Sequence, residues 1–177
     1  QIRNWNMNFI QGDILDEDLI KKYCHDADII HHLAGITDVP KIKSKSDKKY
    51  DEKIKIIAEK GTQNILDVIS DECKIILPSS HVIFEGMEKV KNDIDEDEQS
   101  SPILAYAKSK DFNEKQLKTS GKNYIILRLG SVYGYSTDTA RIDIMANLFA
   151  KKASQNGTLE LYSAGKQIKS LVPLIDV

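Results

Sequence analysis

The order of apolar patterns along this chain predicts an α/β protein, a parallel sheet with helices on both faces. Two observations carry that expectation. Apolar runs of strand length alternate with longer amphipathic stretches of helical period from one end to the other. The 177 residues are also enough to bury one sizeable core, so a single domain is the default.

Each element has its own signal. Asn8–Gln11 reads as a short strand. Asp16–Tyr23 reads as a helix, because acids occupy its first turn and lysines follow, as the helix dipole favours. Ala27–Leu33 is the next strand. Lys48–Ile69 forms a long helix whose apolar positions are Ile54, Ile57, Ala58, Ile65, Leu66 and Ile69. Cys73–Leu77 is a buried strand, Pro102–Leu117 a helix and Asn123–Leu129 a strand. Ile142–Lys152 is helical, and two short strands close the chain. The alternating Thr158–Tyr162 reads as strand, with a Gly turn after it.

Composition narrows the function classes. Lys and Arg number 25 against 27 Asp and Glu, a net charge of -2, which gives no reason to expect nucleic acid or an anionic membrane. No apolar run approaches the ~20 residues of a membrane span, and no secretory leader is visible. Cys24 and Cys73 are well separated, and no Cys/His spacing suggests zinc, so no metal is expected. A reducing cytoplasm fits best. The basic run Lys41–Lys49 has no aromatic platform for single-stranded nucleic acid and reads as a solvated loop. Lys91–Ser101 is acidic and rich in breakers, and reads as a mobile surface loop.

The chemistry concentrates in two stretches, Ser79-Ser80-His81-Val82-Ile83-Phe84-Glu85-Gly86 and Tyr106-Ala107-Lys108-Ser109-Lys110. The first follows a buried strand and the second opens an amphipathic helix. Tyr106 and Lys110 stand at i and i+4, on one helical face. A free phenol titrates near ~10, and a nearby ammonium favours the phenolate. A proton acceptor tuned towards the working pH is what acid–base catalysis on an alcohol needs. Ser80 would hydrogen-bond the same substrate oxygen as charge develops. The spacing Tyr-x-x-x-Lys recurs at Tyr162–Lys166, but only Tyr106 has a hydroxyl-bearing strand end upstream and a helical pattern downstream. This equipment points to a nicotinamide enzyme. His31 and His32 alternate along a strand, so they face opposite sides and do not form a metal pair. Glu114 is i+4 from Lys110 and reads as its surface charge partner.

In these motifs the chain resembles the extended short-chain dehydrogenase/reductase family, the NAD-dependent epimerase/dehydratase group that includes UDP-glucose 4-epimerase. Gly12-Asp13-Ile14-Leu15-Asp16 is similar to the family's segment at the adenine pocket. His31-His32-Leu33-Ala34-Gly35 resembles its His-x-Ala-Ala/Gly strand end, and Gly61-Thr62-Gln63-Asn64-Ile65-Leu66 its Gly-Thr-x-Asn-Leu helix. Ser79–Gly86 resembles Ser-Ser-x-x-Val-Tyr-Gly with one extra residue before the Gly. Arg128–Gly134 and Lys169–Val177 are similar to two later signatures. The family's opening Gly-x-x-Gly-x-x-Gly turn has no counterpart. The chain is therefore expected to be an internal fragment lacking the first βα unit and most of the C-terminal substrate part.

The resemblance implies a doubly wound, Rossmann-like fold, with residues 1–177 a partial NAD(P)-binding domain and the substrate part starting from about 131. Asp13 and Ile14 would border the adenine of NAD, and Leu33, Ala34 and Gly35 the ribose and phosphate side. NADP stays open. Tyr106 would take the hydroxyl proton, Lys110 would also hold the nicotinamide ribose, and Ser80, His81, Ser131 and Lys169 would meet the substrate. The partner would be a nucleotide-sugar or another small carbinol or carbonyl compound, and a homodimer would form through the long helix around Ile57 and the Tyr106 helix. Ala58, Ser131 and Phe84 depart from the family's Asn, Asn and Tyr. Ser80-His81-Val82 lacks the acidic pair with which related dehydratases eliminate water. A nucleotide-sugar epimerase, a reductase or dehydrogenase, and a nucleotide-binding regulatory protein without catalysis all remain open.

Overall fold

The structure is a computed structural model that describes residues 7–37, 47–135, 141–166 and 168–177. Its principal elements are α1 (Glu17–Cys24), β1 (Ile29–His31), α2 (Lys48–Val68), β2 (Lys74–Ser80), α3 (Ala105–Thr119), β3 (Asn123–Leu129), β4 (Ser131–Tyr133), α4 (Met145–Ser154) and β5 (Leu171–Pro173). Helices and strands alternate as the sequence predicts, and the class is α/β. Strands β1, β2 and β3 form one sheet in that order, and β4 and β5 a second. β1 runs parallel to β2, with Ile30 opposite Ile75 and His31 opposite Ile76.

The helix starts follow from capping. Asp16 accepts the Leu19 amide at 3.0 Å to open α1, and Glu17 and Asp18 favour its positive end. Asp47 accepts the Lys49 amide at 2.9 Å and opens α2. The rest of the basic run 41–49, up to residue 46, lies outside the described residues.

The chain divides into two compact units. Gln1–Leu77 with Leu104–Ile126 form the first, and Pro78–Ile103 with Leu127–Val177 the second. In the first, Ile65, Leu66 and Ile69 of α2 meet Cys73, Ile75 and Leu77 of β2 and Leu117 of α3. Ile14, Ile20, Ile30 and Ile126 pack around that cluster. The Lys122 ammonium donates to Ile69 O and to the Asp71 carboxylate at 2.9 and 2.6 Å, tying the entry of β3 to the end of α2. In the second unit, β4 runs parallel to β5, with Val132 opposite Val172. A short 3-10 helix, His81–Phe84, follows β2 there, and Gly86 donates to Ser101 O at 2.8 Å. A Cβ at Gly86 would stand 2.4 Å from that oxygen, so the close approach requires glycine.

Some elements differ from expectation. Asn8–Gln11 forms no strand: Phe9 and Ile10 are exposed, and no ladder partner engages them among the described residues. Thr158–Leu161 is exposed and irregular, and Tyr162–Gly165 is a 3-10 turn. Alternation alone did not make these strands, because a strand needs a neighbour to satisfy its backbone. The described partner of β5 is instead Ser131–Tyr133, within Arg128–Gly134, the segment that resembles a signature of the family. The acidic segment 91–101 is largely exposed, with a Lys91–Glu98 ion pair and an Arg128 hydrogen bond to Glu96 O at 2.9 Å.

Ile75 is fully buried, whereas Ile29 on the neighbouring strand is 55% exposed. Ile75→Ala is expected to cost about 2–5 kcal/mol of unfolding free energy in urea titration. Ile29→Ala should stay within about 0.5 kcal/mol.

Candidate functional site

The first unit carries Tyr106, Lys110, His32, Asp13 and Ile14. Tyr106 and Lys110 lie in the first turns of α3, both half-buried, with the Lys110 ammonium 5.9 Å from the centre of the Tyr106 ring. Burial lowers the Lys110 pKa from its ordinary value. The helix places both side chains on one face, as their spacing predicts.

Behind them lies a buried polar chain. His32, just past the end of β1, is 3% exposed, and its Nε2 is 2.8 Å from Thr62 Oγ1 of α2. Asn113 of α3 donates to the same hydroxyl at 2.8 Å and to Ala58 O at 2.9 Å. His32 Nδ1 is buried without a hydrogen-bond partner among the described residues. Burial first, and the Lys110 charge second, lower the His32 pKa from 6.5 to about 4. His31 is exposed, so the two imidazoles face different ways as expected.

The cofactor candidates occupy the same unit. Asp13 accepts the Leu15 amide at 2.9 Å, which closes the turn holding Ile14. Asn64 donates to Ile14 O at 3.0 Å. A Cβ at Gly61 would stand 2.8 Å from the Ile14 side chain, so α2 approaches this turn closely. Leu33, Ala34 and Gly35 continue from β1 as exposed backbone, with open space where a Gly35 side chain would be.

The second unit brings together Ser80, His81 and Ser131, with Lys169 in electrostatic range. Ser80 ends β2 and caps the 3-10 helix, accepting the Val82 amide at 3.4 Å. His81 Nε2 is 3.2 Å from Ser131 Oγ. Burial and then Lys169 lower the His81 pKa, while Glu85 acts the other way. Phe84 lies under the Arg128 guanidinium, 5.3 Å from ring centre to Cζ.

One expected role is corrected. Glu114 does not lie on the surface: it is 2% exposed, with the Lys118 ammonium 3.8 Å away. It shares the buried stripe of Ala107 and Leu117, two turns after the first and one before the second. Thr62, Asn64 and Asn113 were not singled out from the sequence as site residues. Asn113 did carry a signal, since it stands one turn before Leu117 at a core position, where an amide requires partners.

With this geometry in hand, comparison with known proteins is decisive at the level of family. The sequence matches the NAD dependent epimerase/dehydratase family over residues 1–177. The chain belongs to that family. Among solved structures, it resembles a UDP-glucuronic acid 4-epimerase from Bacillus cereus, solved with a fluorinated UDP-sugar and NAD. That match has 22% identity and a TM-score of 0.77, covering 99% of this chain and 54% of the other. A dTDP-glucose 4,6-dehydratase from Streptomyces venezuelae matches at 22% identity and TM-score 0.76, over 98% of this chain and 53% of the other. A UDP-glucose 4-epimerase from Thermotoga maritima matches at 21% and 0.74, over 99% and 59%. The family member thus has a Rossmann-like α/β fold and spans a little over half the length of these structures. Among the described residues no helix is long and apolar enough to cross a membrane, and no cluster of three potential metal ligands occurs.

The His32 environment has a consequence for acid stability. As pH falls below 6.5 the unfolded chain takes up the imidazole proton first, while the folded chain takes it only near pH 4. Stability is therefore expected to drop between pH ~6.5 and ~4, by up to about 3 kcal/mol from this group. Urea titrations across that range should show a shallower slope for His32→Gln. Equal slopes would refute the assignment.

Proposed function

We propose that this protein is a nucleotide-sugar epimerase working with bound NAD, and that Tyr106 is its acid–base group. The observation supporting this is the pairing of Tyr106 with half-buried Lys110 on one face of α3, in a member of the NAD-dependent epimerase/dehydratase family. The bound nicotinamide supplies a hydride acceptor that can return what it takes. Tyr106 removes the carbinol proton, and the Lys110 ammonium favours its phenolate and reaches the nicotinamide ribose. Ser80 hydrogen-bonds the carbinol oxygen. Asp13 and Ile14 border the adenine, and Leu33, Ala34 and Gly35 the ribose and phosphates. His81, Ser131 and Lys169 receive the substrate, with Lys169 directed to phosphate as a point charge. NAD as cofactor, with NADP still open, a cytoplasmic setting and a homodimer through α2 and α3 belong to the same reading. The substrate part begins at about residue 131.

Epimerase is preferred to dehydratase because Ser80-His81-Val82 supplies no acid pair to eliminate water. The test uses the full-length gene product with UDP-glucose and UDP-glucuronic acid, following sugar stereochemistry by NMR. Epimer formation without net change in nicotinamide absorbance is expected. Stoichiometric NADH formation would replace this reading with a dehydrogenase. Tyr106→Phe should lower kcat by about 10²–10⁴-fold while leaving the fold intact. Undiminished activity in that variant would remove both enzyme readings.

A further inference from the structure

The buried polar chain behind α3 lies outside the acid–base pair, yet its geometry bears on it. Asn113 sits one turn after Lys110, and its side-chain amide donates to Ala58 O and Thr62 Oγ1 at 2.9 and 2.8 Å. Those acceptors are one turn apart on α2, so the amide brackets a turn of the neighbouring helix. Thr62 is 0% exposed and Asn113 4%, so neither can exchange its partner for water. Apolar contact between helices is non-directional and tolerates sliding, whereas hydrogen bonds weaken steeply with misalignment. His32 then joins the same hydroxyl to the end of β1 at 2.8 Å.

We propose that His32, acting through Thr62 and Asn113, is a positioning residue for Lys110. The chain of hydrogen bonds fixes α3 along α2 and against the end of β1, and so fixes where the ammonium stands beside Tyr106. The proposal rests on the reading of Tyr106 and Lys110 as the catalytic pair.

Proton placement supports it. The Thr62 hydroxyl has one hydrogen and already accepts from Asn113, so it can donate to an unprotonated His32 Nε2. Nδ1 then carries the imidazole hydrogen. A second proton would meet both burial and the Lys110 charge, so the imidazole stays neutral at ordinary pH. Whichever of Thr62 and His32 donates between them, losing the hydroxyl breaks the chain at both sides. An unpaired buried group is costly, so partial substitutes do not restore it.

The decisive variants are Thr62→Val, which keeps the volume but removes the hydroxyl, and Thr62→Ser, which restores it. In the full-length protein without substrate, Lys110 is titrated by its labelling with an amine-reactive acylating reagent, read by peptide mass spectrometry. Thr62→Val is expected to move the Lys110 labelling midpoint upward, towards the ordinary lysine range, as the ammonium gains water. Its kcat should fall at least about tenfold with KM little changed, because a misplaced group costs rate more than binding. Thr62→Ser should return both readouts to the parent values. A lowered melting temperature with an unmoved Lys110 midpoint would mean a purely structural network and overturn the proposal. If Thr62→Val does not fold, His32→Gln is read by the same two criteria. The labelling needs no turnover, so failure of the epimerase reading would show in Tyr106→Phe and leave this result separately legible.

Discussion

The packing of α3 on α2 is the constraint on which the first unit depends. It is a mixed interface rather than an oily one. Ile54, Ala58, Ile65 and Leu66 of α2 and Ala107 and Leu117 of α3 are buried, but so are Thr62, Asn113 and Glu114. Burying an amide or hydroxyl is unfavourable by several kcal/mol unless it is hydrogen-bonded. Asn113 and Thr62 meet that condition through each other, and Gln116 extends the seam by donating to Glu59 O at 3.0 Å. The apolar contacts supply the drive to associate, and the polar ones select a single register. On its other side α2 reaches Ile14 through Gly61 and Asn64. One helix thus sets both the helix that carries Tyr106 and Lys110 and the turn proposed to border the adenine.

Much of this was legible in the chain. Asp16 marked the start of α1, and acids followed by lysines marked its course. The limits of α2 and β3 were readable from apolar period, since long periodic segments carry their own evidence. Strand identity at the margins was not, because pairing is a property of two segments. Asn8–Gln11 and Thr158–Tyr162 have strand-like composition, while Ser131–Tyr133 became a strand by lying beside Leu171–Pro173. The same limit applies to the site. The i,i+4 relation of Tyr106 and Lys110 is local and could be seen. The relation of His32 to Thr62 and Asn113 joins residues 30 and 51 positions apart, which local spacing does not encode. Glu114 was misjudged because charge was weighed ahead of its place in the Ala107–Leu117 stripe.

Electrostatics gives the half-buried ammonium its meaning. Removing Lys110 from water disfavours its charge, and a neighbouring imidazolium would disfavour it further. The buried His32 avoids this by staying neutral, at the expense of acid stability. Of the pair His32 and Lys110, only the ammonium thus carries charge at ordinary pH.

The role proposed for Ser80 supplies the complementary argument on the oxygen side of the chemistry. Its Oγ accepts the Val82 amide, which orients the hydroxyl at the start of the 3-10 helix and leaves its own hydrogen to donate. A donor at that position stabilises negative charge on a carbinol oxygen as its proton departs, but it cannot remove a proton from carbon or protonate a leaving hydroxyl efficiently. Elimination of water demands both of those acts, and neither His81, paired with Ser131, nor Val82 brings a carboxyl group to perform them. Hydride removal and return demands only proton exchange at one oxygen. The residues proposed for the site match the smaller demand.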